Sequence, residues 1–240
     1  MSKKIKPYKN SESKKNQVKQ MFNKIAYRYD FLNRFLTLGI DNIWRKIAVK
    51  KIQNDPKNIL DIATGTADLA IISAQITNAQ ITGIDISDQM LEIGKQKISK
   101  KQLNNRIKLT NEDAENLSFN DEYFDAVTVG FGVRNFENLN KGLEEIYRVL
   151  KHGGYVAILE PSYPKYFPIK QLFNFYFDFV TPLIGNLISK DFKAYSYLSK
   201  SVQNFPTNKE FTKILKDTGF SSCNYYPLTL GVVSLYIAIK

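Results

Sequence analysis

A chain of 240 residues, 43% hydrophobic and 13% aromatic, can bury a sizeable core as one α/β domain, which excludes a largely disordered protein. Its single cysteine, Cys223, excludes an internal disulfide and a cysteine-built metal cluster, so a reducing compartment is expected and a metal site is not. The net charge of +11 is uneven, because residues 1–60 hold 15 Lys/Arg against 4 Asp/Glu while residues 61–240 hold 19 of each. Such a patch suits an anionic membrane surface or nucleic acid, and on charge alone a solubilising tail explains it equally well.

Ser2 to Asn16 is mostly lysine, serine and asparagine, which reads as a flexible basic arm (residues 1–16) rather than an export signal, so a cytoplasmic location is expected. Residues 17–240 read as a single domain. Val18, Phe22, Ile25, Ala26 and Tyr29 recur at helical spacing, as do Ile40, Ile43, Trp44, Ile47, Ala48 and Ile52, so two amphipathic helices precede the main fold. From Asn58 the pattern alternates: strand 59–63, helix 68–75, strand 80–85, helix 87–100, strand 107–111, strand 126–130, helix 139–150 and strand 155–160. Alternation of this kind predicts right-handed βαβ units and a parallel, doubly wound sheet. A helical insertion at about 163–206 follows, and within it Lys170, Asn174, Asp178 and Pro182 interrupt the apolar run Tyr166 to Ile188 too often for a membrane span. A helix at 209–218 ends at Gly219, and strands at 223–228 and 232–239 close the chain as an antiparallel pair.

The turn Asp61-Ile62-Ala63-Thr64-Gly65-Thr66-Ala67-Asp68 joins the first strand to the first helix of the alternating region, where a doubly wound sheet holds a nucleotide cofactor. Dinucleotides require three glycines there, because a pyrophosphate approaches the backbone closely. This turn has only Gly65, which points to a nucleoside cofactor without phosphates, S-adenosyl-L-methionine, rather than to NAD. Asp85 ends the second strand 20 positions after Gly65, placed to accept from both ribose hydroxyls. Asp113 and Ala114 follow the third strand, so that the carboxylate accepts from the adenine amino group and the Ala114 backbone reads a ring nitrogen. Each acid taken singly is as easily a helix cap, but their order after successive strands favours one adenosine on one rim.

Four stretches carry a more specific likeness: Tyr29-Asp30-Phe31-Leu32-Asn33 through Trp44, Asp61 to Thr66, Phe131-Gly132-Val133-Arg134-Asn135, and Arg148-Val149-Leu150-Lys151 leading to Glu160. With these the chain resembles the ubiquinone/menaquinone biosynthesis C-methyltransferases from about Val18 to Lys240. The resemblance implies a Rossmann-like class I methyltransferase fold with a seven-stranded sheet, and cofactor contacts from Asp61, Gly65, Thr66, Asp85, Asp113, Ala114 and Gly130. The chain departs from the family pattern at Ala67 (a glycine), Asp41 (a histidine), Gly130 (a serine in some members) and His152 (a proline). Ala67 is expected inside the first helical turn at little cost, whereas Asp41 puts any catalytic role of its position in doubt.

The reaction implied is methyl transfer to a ring carbon of demethylmenaquinol or a related polyprenyl benzoquinol. The enzyme must favour the phenolate of the reduced ring, which pushes charge onto the neighbouring carbon. Arg134 is expected to stabilise that charge and Asn135 to orient the ring oxygen, while Tyr29 and Asp30 cover the pocket and help position a base or water. The alternatives are that Arg134 pairs with a nearby carboxylate and that Tyr29 and Asp30 merely cap a helix. Phe167, Leu172, Phe173, Tyr176, Phe177, Val180, Leu183 and Ile184 form core, a groove for the polyprenyl tail, or both. The cluster Lys3, Lys4, Lys6, Lys9, Lys14 and Lys15 would hold the protein reversibly at the inner face of an anionic membrane. Dimerisation is left open. A methyltransferase acting on RNA or a soluble small molecule is the alternative function, although the arm lacks the interleaved aromatics of a nucleic-acid binder. A quinone-binding membrane-surface protein without activity is a third reading, disfavoured by the intact cofactor rim.

Overall fold

The computed structural model describes residues 5–8, 10–164, 167–175 and 192–240, with backbone alone at 172, 174, 175 and 192–195. Its strands are β1 (Asn58–Ile62), β2 (Gln80–Asp85), β3 (Ile107–Asn111), β4 (Phe124–Gly130), β5 (Leu150–Pro161), β6 (Ser222–Leu228) and β7 (Val233–Ile239). They form one seven-stranded sheet in the order β3-β2-β1-β4-β5-β7-β6. β1 to β5 pair in parallel, and β7 runs antiparallel to both β5 and β6. The strand order reverses between β1 and β4, so the carboxyl ends of those two strands border the crevice where such sheets hold their ligands.

The described helices are α1 (Lys14–Thr37), α2 (Asp41–Lys50), α3 (Asp68–Ile76), α4 (Asp88–Lys100), α5 (Leu139–Val149), α6 (Ile169–Phe175), α7 (Phe192–Asn204) and α8 (Lys209–Thr218). Both faces of the central strands are buried, which is why these strands read as nearly continuous apolar runs. Leu60, Ile62, Val127 and Val129 pack with Leu143 and Ile146 of α5 and with Phe211 and Leu215 of α8. On the opposite face Ile59, Ile81, Ala126 and Leu159 meet Trp44 and Ala48 of α2, Ala70 and Ile71 of α3 and Ile98 of α4. Burying an aliphatic side chain of this size contributes about 1.5–3 kcal/mol, so the two layers account for most of the fold's cohesion.

α1 belongs to neither layer and lies across the carboxyl rim of the sheet. Ser13 caps it by accepting from the Asn16 N–H at 3.1 Å, and Val18, Met21 and Leu32 pack against Tyr197 of α7. The helix thus begins at Lys14, inside the segment read as a flexible arm. Tyr8 and Glu12 of that segment are also tied down: the fully buried Gln17 accepts from the Tyr8 N–H at 2.8 Å and donates to the Glu12 carbonyl at 3.0 Å. β5 is longer than expected because Leu150 already pairs with Phe124 before a register shift. His152 therefore lies in β5, 77% exposed at the side chain and 3.0 Å from Glu122, at the end of the sheet away from the rim. No helix among the described residues is long and apolar enough to cross a membrane.

Candidate functional site

Two loops at the switch point adopt backbone conformations that L-residues rarely take. Ala63, Gly65 and Ala67 after β1 have φ of 52°, 56° and 66°, and Phe131 after β4 has φ of 63°. Left-handed conformations cost a non-glycine residue roughly 1–2 kcal/mol and gather where function holds them. Ala67 corrects the sequence expectation: it is the left-handed N-cap of α3, outside the first helical turn, so an alanine there carries real strain where the family pattern has glycine. Gly132 has a steric reason as well, since a Cβ would stand 2.5 Å from Cβ of Ala63 and force the two loops apart.

Buried hydrogen bonds fix these loops. Asp61, wholly buried, accepts from Thr64 Oγ1 at 2.5 Å and Thr128 Oγ1 at 2.6 Å, and burial pushes its carboxyl up to about 6. It lies beneath the turn and lines neither cavity, so it supports the cofactor loop from below. Asp85 Oδ2 accepts from the Gly65 N–H at 2.9 Å and Oδ1 from the Ser87 N–H at 2.8 Å. Burial pushes its carboxyl up to about 6, opposed by those N–H bonds. A carboxylate has about four acceptor sites, so Asp85 keeps acceptor capacity for a ligand hydroxyl.

A first cavity of about 70 Å³ is lined by Gly65, Asp85, Asp113, Ala114, Gly130 and Gly132, together with Val18, Phe22 and Tyr29 of α1. Five of the seven residues expected to hold the cofactor thus converge here, and Asp61 and Thr66 do not. Thr66 Oγ1 instead donates to Asp30 Oδ1 at 2.5 Å and accepts from Lys97 at 3.1 Å. The donor and acceptor set fits an adenosine: a ribose acceptor at Asp85, a base acceptor at Asp113, and open space over Gly65. The enclosed volume is far below the few hundred Å³ of small-molecule sites, and Lys15 is part of the reason. It forms an ion pair with Asp113, while Lys14 Nζ donates to the carbonyls of Arg134 at 3.0 Å and Phe136 at 2.6 Å.

A second cavity of about 470 Å³ adjoins the first and is mostly apolar, lined by Ile25, Leu36, Trp44, Phe173, Val202 and Val233 among others. Arg134, Asn135, Tyr29, Asp41 and Arg45 are among its polar groups. Phe22, Tyr29, Phe131 and Asn135 line both cavities and form the partition between them. Arg134 realises the structural alternative: its Nη1 lies 2.8 Å from Oε2 of the buried Glu160 and also bonds the Phe131 carbonyl, while its backbone N–H donates to Glu160 Oε1 at 3.2 Å. Its Nε is nonetheless buried without a hydrogen-bond partner among the described residues, on a side chain that lines the cavity. Asn135 is held by the Tyr197 hydroxyl, which donates to its Oδ1 at 3.1 Å, and among the described residues its amide N–H₂ has only a long 3.4 Å bond to the Phe131 carbonyl. Burial raises the Tyr29 phenol above its usual range, with a bond to Asn33 and the nearby Arg134 and Arg45 opposing. It is therefore neutral and can donate.

Asp30 departs from expectation, because it bonds Thr66 and, at 2.8 Å, Lys97, and lines neither cavity. It fastens α1 to α3 and α4, since Lys97 also pairs with Asp68. Of the apolar segment after β5, Phe173 lines the second cavity and Phe167 is exposed; Tyr176, Phe177, Val180, Leu183 and Ile184 lie outside the described residues, and of Leu172 only the backbone is described. Sequence reasoning passed over Tyr197, Arg45, Phe131 and the stretch Thr229 to Val233. Their spacing gives no local pattern, although Phe131 sits in a motif the sequence had singled out.

The model of the ubiE/COQ5 methyltransferase family matches residues 10–240. The chain is 46% identical to a demethylmenaquinone methyltransferase of Bacteroides fragilis, covering 99% of this chain and 98% of that one. It is also 46% identical to the ubiquinone/menaquinone biosynthesis C-methyltransferase UbiE of Geotalea daltonii, over 95% and 97% of the two chains. Among solved structures, one described as an S-adenosyl-L-methionine-dependent methyltransferase of Methanococcus maripaludis superposes with a TM-score of 0.67, at 24% identity over 97% of this chain and 96% of that one, a likeness of fold alone. The fold, the adenosine-fitting rim and the family match agree on S-adenosyl-L-methionine as cofactor, and the chain belongs to the ubiE/COQ5 methyltransferase family.

Proposed function

We infer that this enzyme transfers a methyl group to a ring carbon of a reduced, prenylated naphthoquinol or benzoquinol. The observation that carries the reading is the shared wall of Tyr29, Phe131 and Asn135 between an adenosine-fitting cavity and a larger apolar one. S-adenosyl-L-methionine, when bound, supplies a methyl group made electrophilic by its sulfonium. Asp85, Asp113 and Ala114 would hold it, on a turn shaped by Gly65 and braced by Asp61. Arg134 and Asn135 both line the acceptor cavity, where the guanidinium would offset the charge of a ring oxygen and the Asn135 amide would donate to it, favouring the phenolate. Glu160 fixes the guanidinium for that task, and the neutral Tyr29 phenol adds a donor at the partition. Leu36, Trp44 and Val202 surround the rest of the cavity with apolar surface that suits a prenylated ring.

The mouth of this cavity supports a peripheral membrane location. Leu38 lines the cavity and is 84% exposed, and Tyr27, Phe31 and Phe35 continue the exposed apolar stripe along α1, beside the exposed Lys24, Arg28 and Arg34. An apolar stripe flanked by basic side chains suits the interface of an anionic bilayer, from which a prenylated ring enters without its tail leaving lipid. Of the lysine cluster, Lys14 and Lys15 are engaged on the rim, while Lys3, Lys4 and Lys9 lie outside the described residues. The same engagement weakens the case for an RNA substrate.

The test is methyl transfer from labelled cofactor to each of several reduced quinones. Incorporation into a prenylated naphthoquinol or benzoquinol, with none into RNA or catechols, is expected. Incorporation into RNA alone overturns the reading.

A further inference from the structure

Asp41 is the only carboxylate among the described residues that line the acceptor cavity. It stands in the first turn of α2, 2% exposed, and is bonded to Arg45 Nη1 through Oδ2. Arg45 in turn lies 5.6 Å from the centre of the Phe131 ring, on the wall shared with the cofactor cavity. The other oxygen, Oδ1, is 2.8 Å from Thr37 Oγ1, but that hydroxyl is also 2.7 Å from the Asn33 carbonyl. One hydroxyl has one proton. When it serves the helix carbonyl, Oδ1 of Asp41, a residue that lines the cavity, is left without that donor.

Burial opposes the charge on Asp41, yet the guanidinium and the bonds from Arg45 and Thr37 outweigh it and hold the carboxyl below the usual carboxylate range. Such a group is a weak base but a good hydrogen-bond acceptor. Together Asp41 and Arg45 present an acceptor and a donor side by side. A hydroxyl satisfies both, whereas a carbonyl satisfies only the donor and sets its lone pairs against the carboxylate.

Resting on the quinol reading above, we propose that Asp41 accepts a hydrogen bond from the ring hydroxyl not engaged by Arg134 and Asn135, and so makes the cavity select quinol over quinone. The two rings have nearly the same size and the same tail, so apolar contacts alone discriminate poorly between them. A hydrogen bond to a buried charge, made by one ring and left unmade by the other, is worth on the order of tenfold in affinity or more. Asp41 is then a specificity-determining residue that keeps the oxidised ring, which has no phenolate to offer, from occupying the site.

The experiment is an anaerobic binding titration of the full-length protein with a short-chain 2-prenyl-1,4-naphthoquinone and, separately, with its dithionite-reduced quinol. It compares the wild type with Asp41→Asn, whose amide can donate to a carbonyl, and with the double variant Asp41→Leu/Arg45→Met, which removes the pair together so that no buried charge is orphaned. The wild type is expected to prefer the quinol by about tenfold or more, and both variants to bring the ratio to within about threefold. In Asp41→Asn the quinol KM rises more than kcat falls. Equal wild-type affinities overturn the proposal and leave the quinol reading standing; a preference that survives in the variants overturns it as well. Binding of neither ring by the wild type overturns both.

Discussion

Asp85 shows how one side chain both shapes a loop and awaits a ligand. Its oxygens already accept from Gly65 and Ser87, so removing the carboxylate costs the ribose its acceptors and the turn its brace. Asp85→Ala should weaken cofactor binding by about 1.5–3 kcal/mol in calorimetry, and unchanged affinity would remove the ribose assignment. Burial pushes the carboxyl up to about 6, so in the ligand-free protein it takes up a proton as pH falls through that value. The ionised form is the stronger acceptor, and affinity should therefore rise between pH 5 and pH 7, a dependence that Asp85→Asn flattens. Arg134 calls for a different experiment from the obvious one. Deleting it strands the buried Glu160, which costs about 3–5 kcal/mol of stability, so Arg134→Ala should lower the melting temperature as well as the rate. Arg134→Lys keeps a charge for Glu160 but loses the planar guanidinium, and is expected to lower kcat far more than cofactor affinity; a parallel fall in both makes Arg134 structural. Gly65, Asp85 and Asp113 were legible because each follows a strand in a fixed order, a local pattern. The partners of Arg134, Asp30 and Lys15 were not, since those contacts join residues 26, 67 and 98 positions apart through the tertiary fold.

At the scale of elements, the alternating pattern gave β2, β3 and α8 at their observed bounds, and most others within two residues, because both faces of the sheet bury apolar side chains at strict spacing. What it did not give was the place of α1, whose amphipathic pattern says that one face is covered but not by what. α1 proves to be the cover of both cavities, pinned by Lys14 and Lys15 at its start and by Asp30 at its middle. Lys15 occupies the acceptor that adenine needs, so Lys15→Ala should tighten cofactor binding. The pair is about one third exposed at each partner, which limits the gain to about 1 kcal/mol or less. Weaker binding instead would make Lys15 a cofactor contact. The switch-point loops are the other sensitive element: Gly132→Ala places a methyl 2.5 Å from Ala63, and a loss of about 1–3 kcal/mol in chemical denaturation is expected, with stability unchanged as the contrary result.

For the whole molecule, the arrangement places polar recognition at the carboxyl ends of β1 to β4, an apolar cavity beside it, and an exposed apolar stripe at that cavity's mouth. If the stripe meets a bilayer, replacing Phe31, Phe35 and Leu38 together by glutamine should reduce sedimentation with anionic liposomes and slow turnover of a long-tailed acceptor, while a short-tailed one is spared. Undiminished sedimentation assigns any binding to the basic residues alone. The central claim is that the two cavities bring a methyl donor to the carbon of a reduced ring, and the position of the transferred methyl tests it most directly. A single turnover with carbon-13-labelled cofactor and a prenylated, unmethylated naphthoquinol should yield a product whose NMR spectrum places the label on the ring carbon next to a hydroxyl-bearing carbon, with no product from the oxidised ring. A label found on oxygen, or equal yield from the quinone, would contradict it.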